Sequence, residues 1–595
     1  MPFQNDNSRF APYPVIGIRP IIDPRREVYE STYQQIYSMA EQVRDFLASS
    51  LTYSDGTPVR CLINKTCISN SLEARQCREY FAENNVCALI SVASGWCYPL
   101  ETLEEDSRLP HAMWGFNGTE RPGAVYLAAA VSAANMIGLP LFRIYGKDVQ
   151  DKDCREIPED VAAQLLRFAK CAVAVGTIKG KAYLSLGSVS MGIASSFIDR
   201  SFFSKYLGMR VAYVDMTELD RRIQQGIYDQ EEYETGLRWI QEKLNPGDDE
   251  NPEGVQRTAQ QKEEDWEISL KMALVVRDMM TGNPKLKDQF PEEAPGYDAI
   301  AAGFQGQRAW TNYRPSGDFM ESVLNSGFDW SGARAPYIVA TENDGMNATA
   351  MLFGNLLTHC AQVFCDIRTY WSPEAVRQAT GHQLSGRAAG GIIHMLNSGA
   401  AAMEGTGAMS GPDGSPVIKP YWEASDSDRE ACLKSIRWYP DLLDQFFGGG
   451  YSSGFSTRGG MPVTMVRLNT VYGIGPTLQL AEGYTVELPS EVHQALLSRT
   501  NPTWPSTWFA PREGGDTPCK DVFSLMDAWG ANHCTLCYGH VGADLITLAS
   551  MLRIPVSLHN VPAEQIMRPS LWTAYGLRDQ EASDRAVCGK LGPLY

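Results

Sequence analysis

The stretch from Tyr337 to Trp371 limits the possible folds of this chain more than any other. Tyr337-Ile-Val-Ala340 is a short apolar run rich in β-branched and aromatic residues, and it stops at Thr341-Glu-Asn-Asp-Gly345. That is the pattern of a strand running into a loop. Asn347 then stands where a helix cap belongs, and Ala348, Met351, Leu352 and Leu356 are spaced for one buried helix face as far as about His359. Gln362-Val-Phe-Cys365 reads as a second strand, closed by Asp366. Parallel neighbours joined by the helix would set Glu342 and Asp366 on one rim, at strand carboxyl ends, where open α/β sheets hold their ligands. Paired carboxylates there suit a metal or an acid/base couple. Acids at strand ends also serve as caps or solvated loop residues, and spacing alone leaves both readings open.

Elsewhere the chain alternates between strand and helix signals. Val15–Arg19, Val59–Ile63, Ala88–Val92 and Leu141–Ile144 read as strands, with helical patterns over 27–51, 72–84 and 125–137. This alternation predicts a parallel, doubly wound sheet. The pattern restarts near Cys171, with strands expected at Ala172–Val175, Ala182–Leu186 and Val211–Val214. Between the last two, Gly187-Ser-Val-Ser-Met-Gly192 leads into an expected helix. Its exposed amides suit an anion, but it lacks the full dinucleotide or Walker spacing, so a tight turn is the simpler reading. Asn245–Gly254 is an acidic, helix-breaking loop, followed by a long helix over 258–280. After Trp371, glycine turns separate short alternating strands, including Pro462–Leu468 and Thr477–Leu480, which predicts a barrel-like β domain. The expected division is an α/β unit over 1–170, a second α/β unit over 171–356 carrying Glu342, and a β-rich unit over 357–595 carrying Asp366 and His533.

At 595 residues the chain is long enough for about three or four domains. A formal charge of −18 argues against a general nucleic-acid or anionic-membrane surface. The first residues, Met1-Pro-Phe-Gln-Asn-Asp-Asn-Ser8, carry no basic region followed by an apolar one, and no stretch is expected to span a bilayer. A cytoplasmic protein with reduced thiols is therefore expected. Cys534 and Cys537 with His540 form half a zinc pattern, but no second cysteine pair lies at matching spacing.

Several longer stretches resemble the L-fucose isomerase family. In chain order they are Gly17–Asp23, Trp114–Tyr126, Lys181–Gly187, Ala301–Gln307, Val339–Asp344, Arg368–Glu374, Gly448–Ser453 and Asn532-His533. The resemblance implies two Rossmann-like α/β domains followed by a β-rich one, assembled as a homohexamer with active sites between subunits. It also implies one Mn²⁺ held by Glu342, Asp366 and His533, with Glu342 and Asp366 doubling as acid/base groups. Taken alone, His533 reads as a hydrogen-bonded core histidine. Arg19, Gln305, Ser398, Tyr451 and Asn532 fall in or beside matching motifs as candidate sugar-hydroxyl contacts, and Trp96 and Trp508 as candidate stacking faces.

The activity implied is ketol isomerisation of L-fucose, and of D-arabinose, which shares its configuration at C2–C4. Two other classes fit the composition: a non-catalytic sugar-binding or sensor protein, and a metal-dependent dehydratase or aldolase.

Overall fold

The computed structural model describes residues 7–308, 310–512, 519–573 and 580–595. The first sheet has five parallel strands, in the spatial order Cys61–Ile63, Val15–Ile21, Val86–Ala93, His111–Gly115 and Leu141–Ile144. Alternate side chains leave opposite faces of a strand, and here both faces are covered. Ile16, Ile18, Ile90 and Val92 pack with Ile36, Met39 and Val43 of the Arg26–Ser50 helix. Leu89, Ala93 and Met113 pack with Cys77 and Phe81 of one helix and Tyr126 and Ala130 of another. Burial on both faces is why these strands read as nearly unbroken apolar runs.

The second sheet is also parallel, with the order Ile338–Thr341, Ala299–Phe304, Ala182–Leu186 and Arg210–Val214. The third is a large mixed sheet: Pro462–Val471, His533–Tyr538, Val363–Trp371, Ile392–Leu396, Ser506–Pro511, Gly475–Val486 and Val556–Leu558. Its pairings are antiparallel except the last. Pro462–Val471 also pairs with Gly475–Val486, so six strands form a closed circuit of pairings.

Three expectations are corrected. The strands Ile338–Thr341 and Val363–Trp371 are not parallel neighbours; they belong to different sheets, and the Gly345–Thr358 helix runs between them. Asp366 therefore lies within its strand and not at a carboxyl end. Ala172–Val175 is not a strand but part of the Glu159–Ile178 helix. Its half from Cys171 to Ile178 is apolar almost all round because the helix packs both on the first sheet and against the Gly542–Met551 helix, and a short apolar run has no period to separate the two structures. The same helix corrects the reading of membrane spans: by length and composition it is apolar enough to cross a bilayer, although most of it is buried inside the protein.

The Gly187–Gly192 segment is a turn, and the next α-helix starts only at Arg200. Its first two amides are already engaged, Gly187 N–H donating to Val214 O and Ser188 N–H to Gln305 Oε1. Cys534 and Cys537 occupy one strand three residues apart, hence on opposite faces, while His540 bonds to Gly483 O.

Candidate active site

Glu342 leaves the second sheet through an unusual turn. Glu342 and Asn343 both adopt left-handed backbone conformations, with φ of 58° and 53°. Each costs roughly 1–2 kcal/mol for a residue with a side chain, so neighbouring bonds must fix the turn. Asn343 N–H donates to Phe304 O. Its side chain accepts from the Tyr183 hydroxyl at 2.9 Å and donates to Ser185 Oγ at 2.9 Å. Gly303 makes room for this nest, because a Cβ there would stand 2.1 Å from the Tyr183 oxygen and 2.5 Å from Asn343 Oδ1. Asp344, not Asn347, then caps the helix, its Oδ1 accepting from Asn347 N–H.

Asp366 and His533 meet for a different reason. They are directly opposite each other on the antiparallel strands Val363–Trp371 and His533–Tyr538, so their side chains share one face. Glu342 reaches this pair from the second sheet. His533 Nε2 is 3.0 Å from Glu342 Oε2 and 3.2 Å from Asp366 Oδ1. The imidazole is fully buried, whereas the Asp366 side chain is 29% exposed, so the cluster opens to solvent on the Asp366 side.

Behind the imidazole is a support that sequence reasoning missed. Asp344 Oδ2 accepts the Nδ1 proton of His533 at 2.7 Å and also pairs with Arg467 Nη1 at 2.5 Å. Arg467 in turn donates to Ser195 O and Asn469 Oδ1. Burial alone would raise the Asp344 carboxyl, but Arg467 and His533 pull it down to about 2. Burial would likewise suppress charge on His533, yet Asp344, Asp366 and Glu342 together hold its pKa well above the ordinary imidazole value. The signals were present in the sequence: Asp344 stands two residues beyond Glu342, and Arg467 is a lone charge inside an apolar strand. Glu321 was also missed. Its buried carboxyl is pushed up to about 8 by burial and by the nearby Glu342 charge, against the opposing Thr341 hydrogen bond.

Two carboxylates and one imidazole form a hard donor set suited to a divalent ion with oxygen preference. No group of three or more such side chains among the described residues is spread as a ready metal cage; the trio is drawn together as ion pairs. Its donor chemistry nevertheless fits. Nε2 is buried and faces the Glu342 and Asp366 carboxylates, the two other donors of the set, and Nδ1 is fixed by a carboxylate, the arrangement that orients metal-binding histidines. Ligand atoms at adjacent octahedral positions, with bonds of about 2.1 Å, lie about 3 Å apart.

The other sequence candidates divide into two groups. Ser398 lies near the trio through the network that leads to Thr341, and its Oγ accepts from Gln307 Nε2 at 2.8 Å. Asn532 directly precedes His533, and its Oδ1 accepts from Ser195 Oγ at 3.5 Å. Gln305 is occupied at both ends of its amide, by Ser188 N–H and Val189 O. Tyr451 stacks on Trp266 and donates to Lys262 O, and Trp508 stacks on His394 and donates to His493. Those two rings face the core. Arg19 is buried in the first sheet, donating to Ser91 Oγ and Thr102 O, and Trp96 packs in the same unit. Among the described residues, no hydrogen bond or ring contact joins Arg19 or Trp96 to the trio. A cleft of about 440 Å³ opens beyond Arg467, past Ser195 and Asn469, but Glu342, Asp366 and His533 do not line it.

Comparison with known proteins supplies the family. Residues 13–180 match the family model described as the L-fucose isomerase first N-terminal domain, 181–359 the second N-terminal domain, and 395–560 the C-terminal domain. The chain belongs to the L-fucose isomerase family. It is 53% identical over 588 residues to an L-fucose isomerase of Bacteroides thetaiotaomicron, covering 98% of this chain and 99% of that one. It is 52% identical over 585 residues to one of Streptococcus pneumoniae serotype 4, with the same coverage of both chains. In this L-fucose isomerase family member, the trio takes one residue from the segment matched to the second N-terminal domain and one from that matched to the C-terminal domain. Asp366 lies in the interval between the two.

Proposed function

We propose that this chain is an L-fucose isomerase, interconverting L-fucose with L-fuculose and D-arabinose with D-ribulose, with Mn²⁺ held by Glu342, Asp366 and His533. The carrying observation is the convergence of these three side chains from two sheets, in a member of this family. A sugar-binding or sensor role, or a dehydratase or aldolase activity, gains no support from the relatives, which are named as isomerases.

The reaction moves the C2 proton to C1 and the O2 proton to O1 through an enediolate. When bound, the divalent ion supplies Lewis-acid stabilisation for the charge that develops on the two oxygens. The chain's own residues do the proton work. Glu342, buried, and Asp366, at the open side, provide two carboxylates, one to carry the carbon-bound proton and one to relay the hydroxyl proton. The buried His533, held by Asp344, fixes the inner wall and keeps the carboxylates in register. Ser398 and Asn532 are the sugar-hydroxyl contacts this reading places nearest.

The reading extends to the assembly. Arg19 and Trp96 make their contacts within the first sheet's unit and none with the trio among the described residues, which supports a site completed by a neighbouring subunit in a homohexamer. The first sheet has a strand order used by doubly wound folds, supporting two Rossmann-like domains over 1–170 and 171–356. The closed circuit of pairings supports a barrel-like domain over 357–595. A cytoplasmic location goes with reduced thiols, and all fourteen cysteines are free. The test is incubation of purified protein with L-fucose and Mn²⁺. Appearance of L-fuculose is expected; unchanged sugar at saturating metal overturns the reading.

A further inference from the structure

We propose that Glu321 is a positioning residue that sets Glu342 and the Ser398 loop against each other across the site. This rests on the reading of Glu342 as a metal ligand. Glu321 lies on the Asp318–Asn325 helix and is buried. Its Oε2 accepts the hydroxyl proton of Thr341, the last residue of the strand before Glu342. The same hydroxyl accepts from Asn397 Nδ2 at 2.8 Å. Asn397 Oδ1 accepts the Ser398 backbone N–H at 2.8 Å, and its Nδ2 also donates to Ala400 O. Glu321, Thr341 and Glu342 all line one small cavity.

A hydroxyl has one proton and so one direction to give it. Glu321 takes that proton, which turns the lone pairs of Thr341 towards Asn397. Without Glu321 the hydroxyl is free to rotate and donate elsewhere, and the bond from Asn397 loses its fixed acceptor. The left-handed turn at Glu342 and Asn343 is pinned downstream by Tyr183, Ser185 and Phe304. Glu321 pins it upstream. Slack at Thr341 passes directly to the Glu342 carboxylate, whose placement must hold to within about 0.5 Å for a productive site.

The test compares Glu321→Ala, Glu321→Gln and Thr341→Val in the full chain, with melting temperature and assembly state recorded for each. Mn²⁺ affinity is measured by titration calorimetry, and kcat and KM for L-fucose by ketose formation. Outer partners of metal ligands typically contribute about 10–100-fold in affinity or activity. Glu321→Ala and Thr341→Val should weaken Mn²⁺ binding by about tenfold or more and lower kcat more than they raise KM. Glu321→Gln should recover most of both, because its amide oxygen accepts the same hydrogen bond. If Glu321→Ala fails to assemble, Thr341→Val carries the comparison. Wild-type Mn²⁺ affinity in both disrupting variants overturns the inference. So does a Gln variant as impaired as Ala, which would make the acid itself the functional group. The calorimetry needs no turnover, so a protein that binds Mn²⁺ but leaves the sugar unchanged sinks the isomerase reading while still testing Glu321. A wild type that binds no Mn²⁺ overturns both.

Discussion

Asp344→Asn tests the support behind His533. The Asp344 carboxylate answers two donors with one oxygen, Arg467 at 2.5 Å and His533 at 2.7 Å, and neither partner nor Asp344 itself reaches solvent. Asparagine keeps the shape but removes the charge, leaving the Arg467 guanidinium buried without its counterion. Breaking one side of a buried pair costs about 3–5 kcal/mol. A domain of about 200 residues then melts roughly 6–20 °C lower. The hydrogen bond to Nδ1 adds a separate effect, about 10–100-fold in metal affinity, or about 1.4–2.8 kcal/mol. Acid should narrow the stability gap. The folded Asp344 pKa lies near 2, below its unfolded value, so this stabilisation is present above about pH 4 and is lost as pH falls through 2. The assays are thermal melts of metal-free wild type and variant at pH 7 and pH 3, and Mn²⁺ calorimetry at pH 7. A variant that melts within 2 °C of wild type at pH 7 and binds Mn²⁺ equally well would refute this account of the support.

Glu342→Gln and Asp366→Asn should each keep the fold by circular dichroism yet lose at least about a hundredfold in kcat, within the usual range for an acid/base group; near wild-type turnover in either removes that residue from the chemistry. Chelation should abolish turnover, with Mn²⁺ restoring it best; full activity in protein shown metal-free by elemental analysis would exclude the centre. His533→Ala should erase most of the Mn²⁺-induced rise in melting temperature seen by calorimetry, because binding only to the docked arrangement stabilises it by mass action; an undiminished rise makes His533 a core histidine. Asp441 is pushed up to about 7 by burial and by Asp265, against bonds from Ser316 and Ser452. Its stabilising contribution is therefore full below about pH 4 and lost as pH rises through 7. Asp441→Asn should gain on wild type in melting temperature between pH 5 and pH 8, and a constant difference across that range would contradict the assignment.

The sequence made the trio legible only through family resemblance. Periodicity located the strand before Glu342 and the helix after it, but it wrongly made Asp366 a parallel neighbour. A helix between two strands normally signals a crossover within one sheet; here it crosses between sheets, and nothing in a local pattern encodes which sheet a strand joins. Asp366 and His533 are neighbours only through register, a relation fixed by packing far from either residue. Ala172–Val175 failed for a related reason, since the buried C-terminal half of its helix lacks the polar stripe that identifies one. Glu321 and Arg467 were missed because a buried charge has meaning only with its partner, and their partners, Thr341 and Asp344, lie 20 and 123 positions away. The left-handed turn at Glu342 had no sequence signal beyond an asparagine, a residue that tolerates that conformation.

Charge explains why this cluster is built as it is. Asp344, Glu342 and Asp366 crowd one imidazole, with Arg467 the adjoining guanidinium. Three carboxylates against one guanidinium leave two excess negative charges in a largely buried place, which folding does not tolerate unbalanced. A proton on His533 removes one of them, and the carboxylates hold that proton well above the ordinary imidazole pKa. A divalent ion would remove both while freeing Nε2 to act as a ligand, so metal binding and loss of the imidazole proton are two halves of one exchange. Asp344 is the member that cannot take part directly, since both its oxygens are committed, to the helix cap and to the Arg467–His533 pair. It therefore keeps the imidazole aimed in either state. The two carboxylates left without such commitments are Glu342 and Asp366, the pair the proposed isomerisation would use.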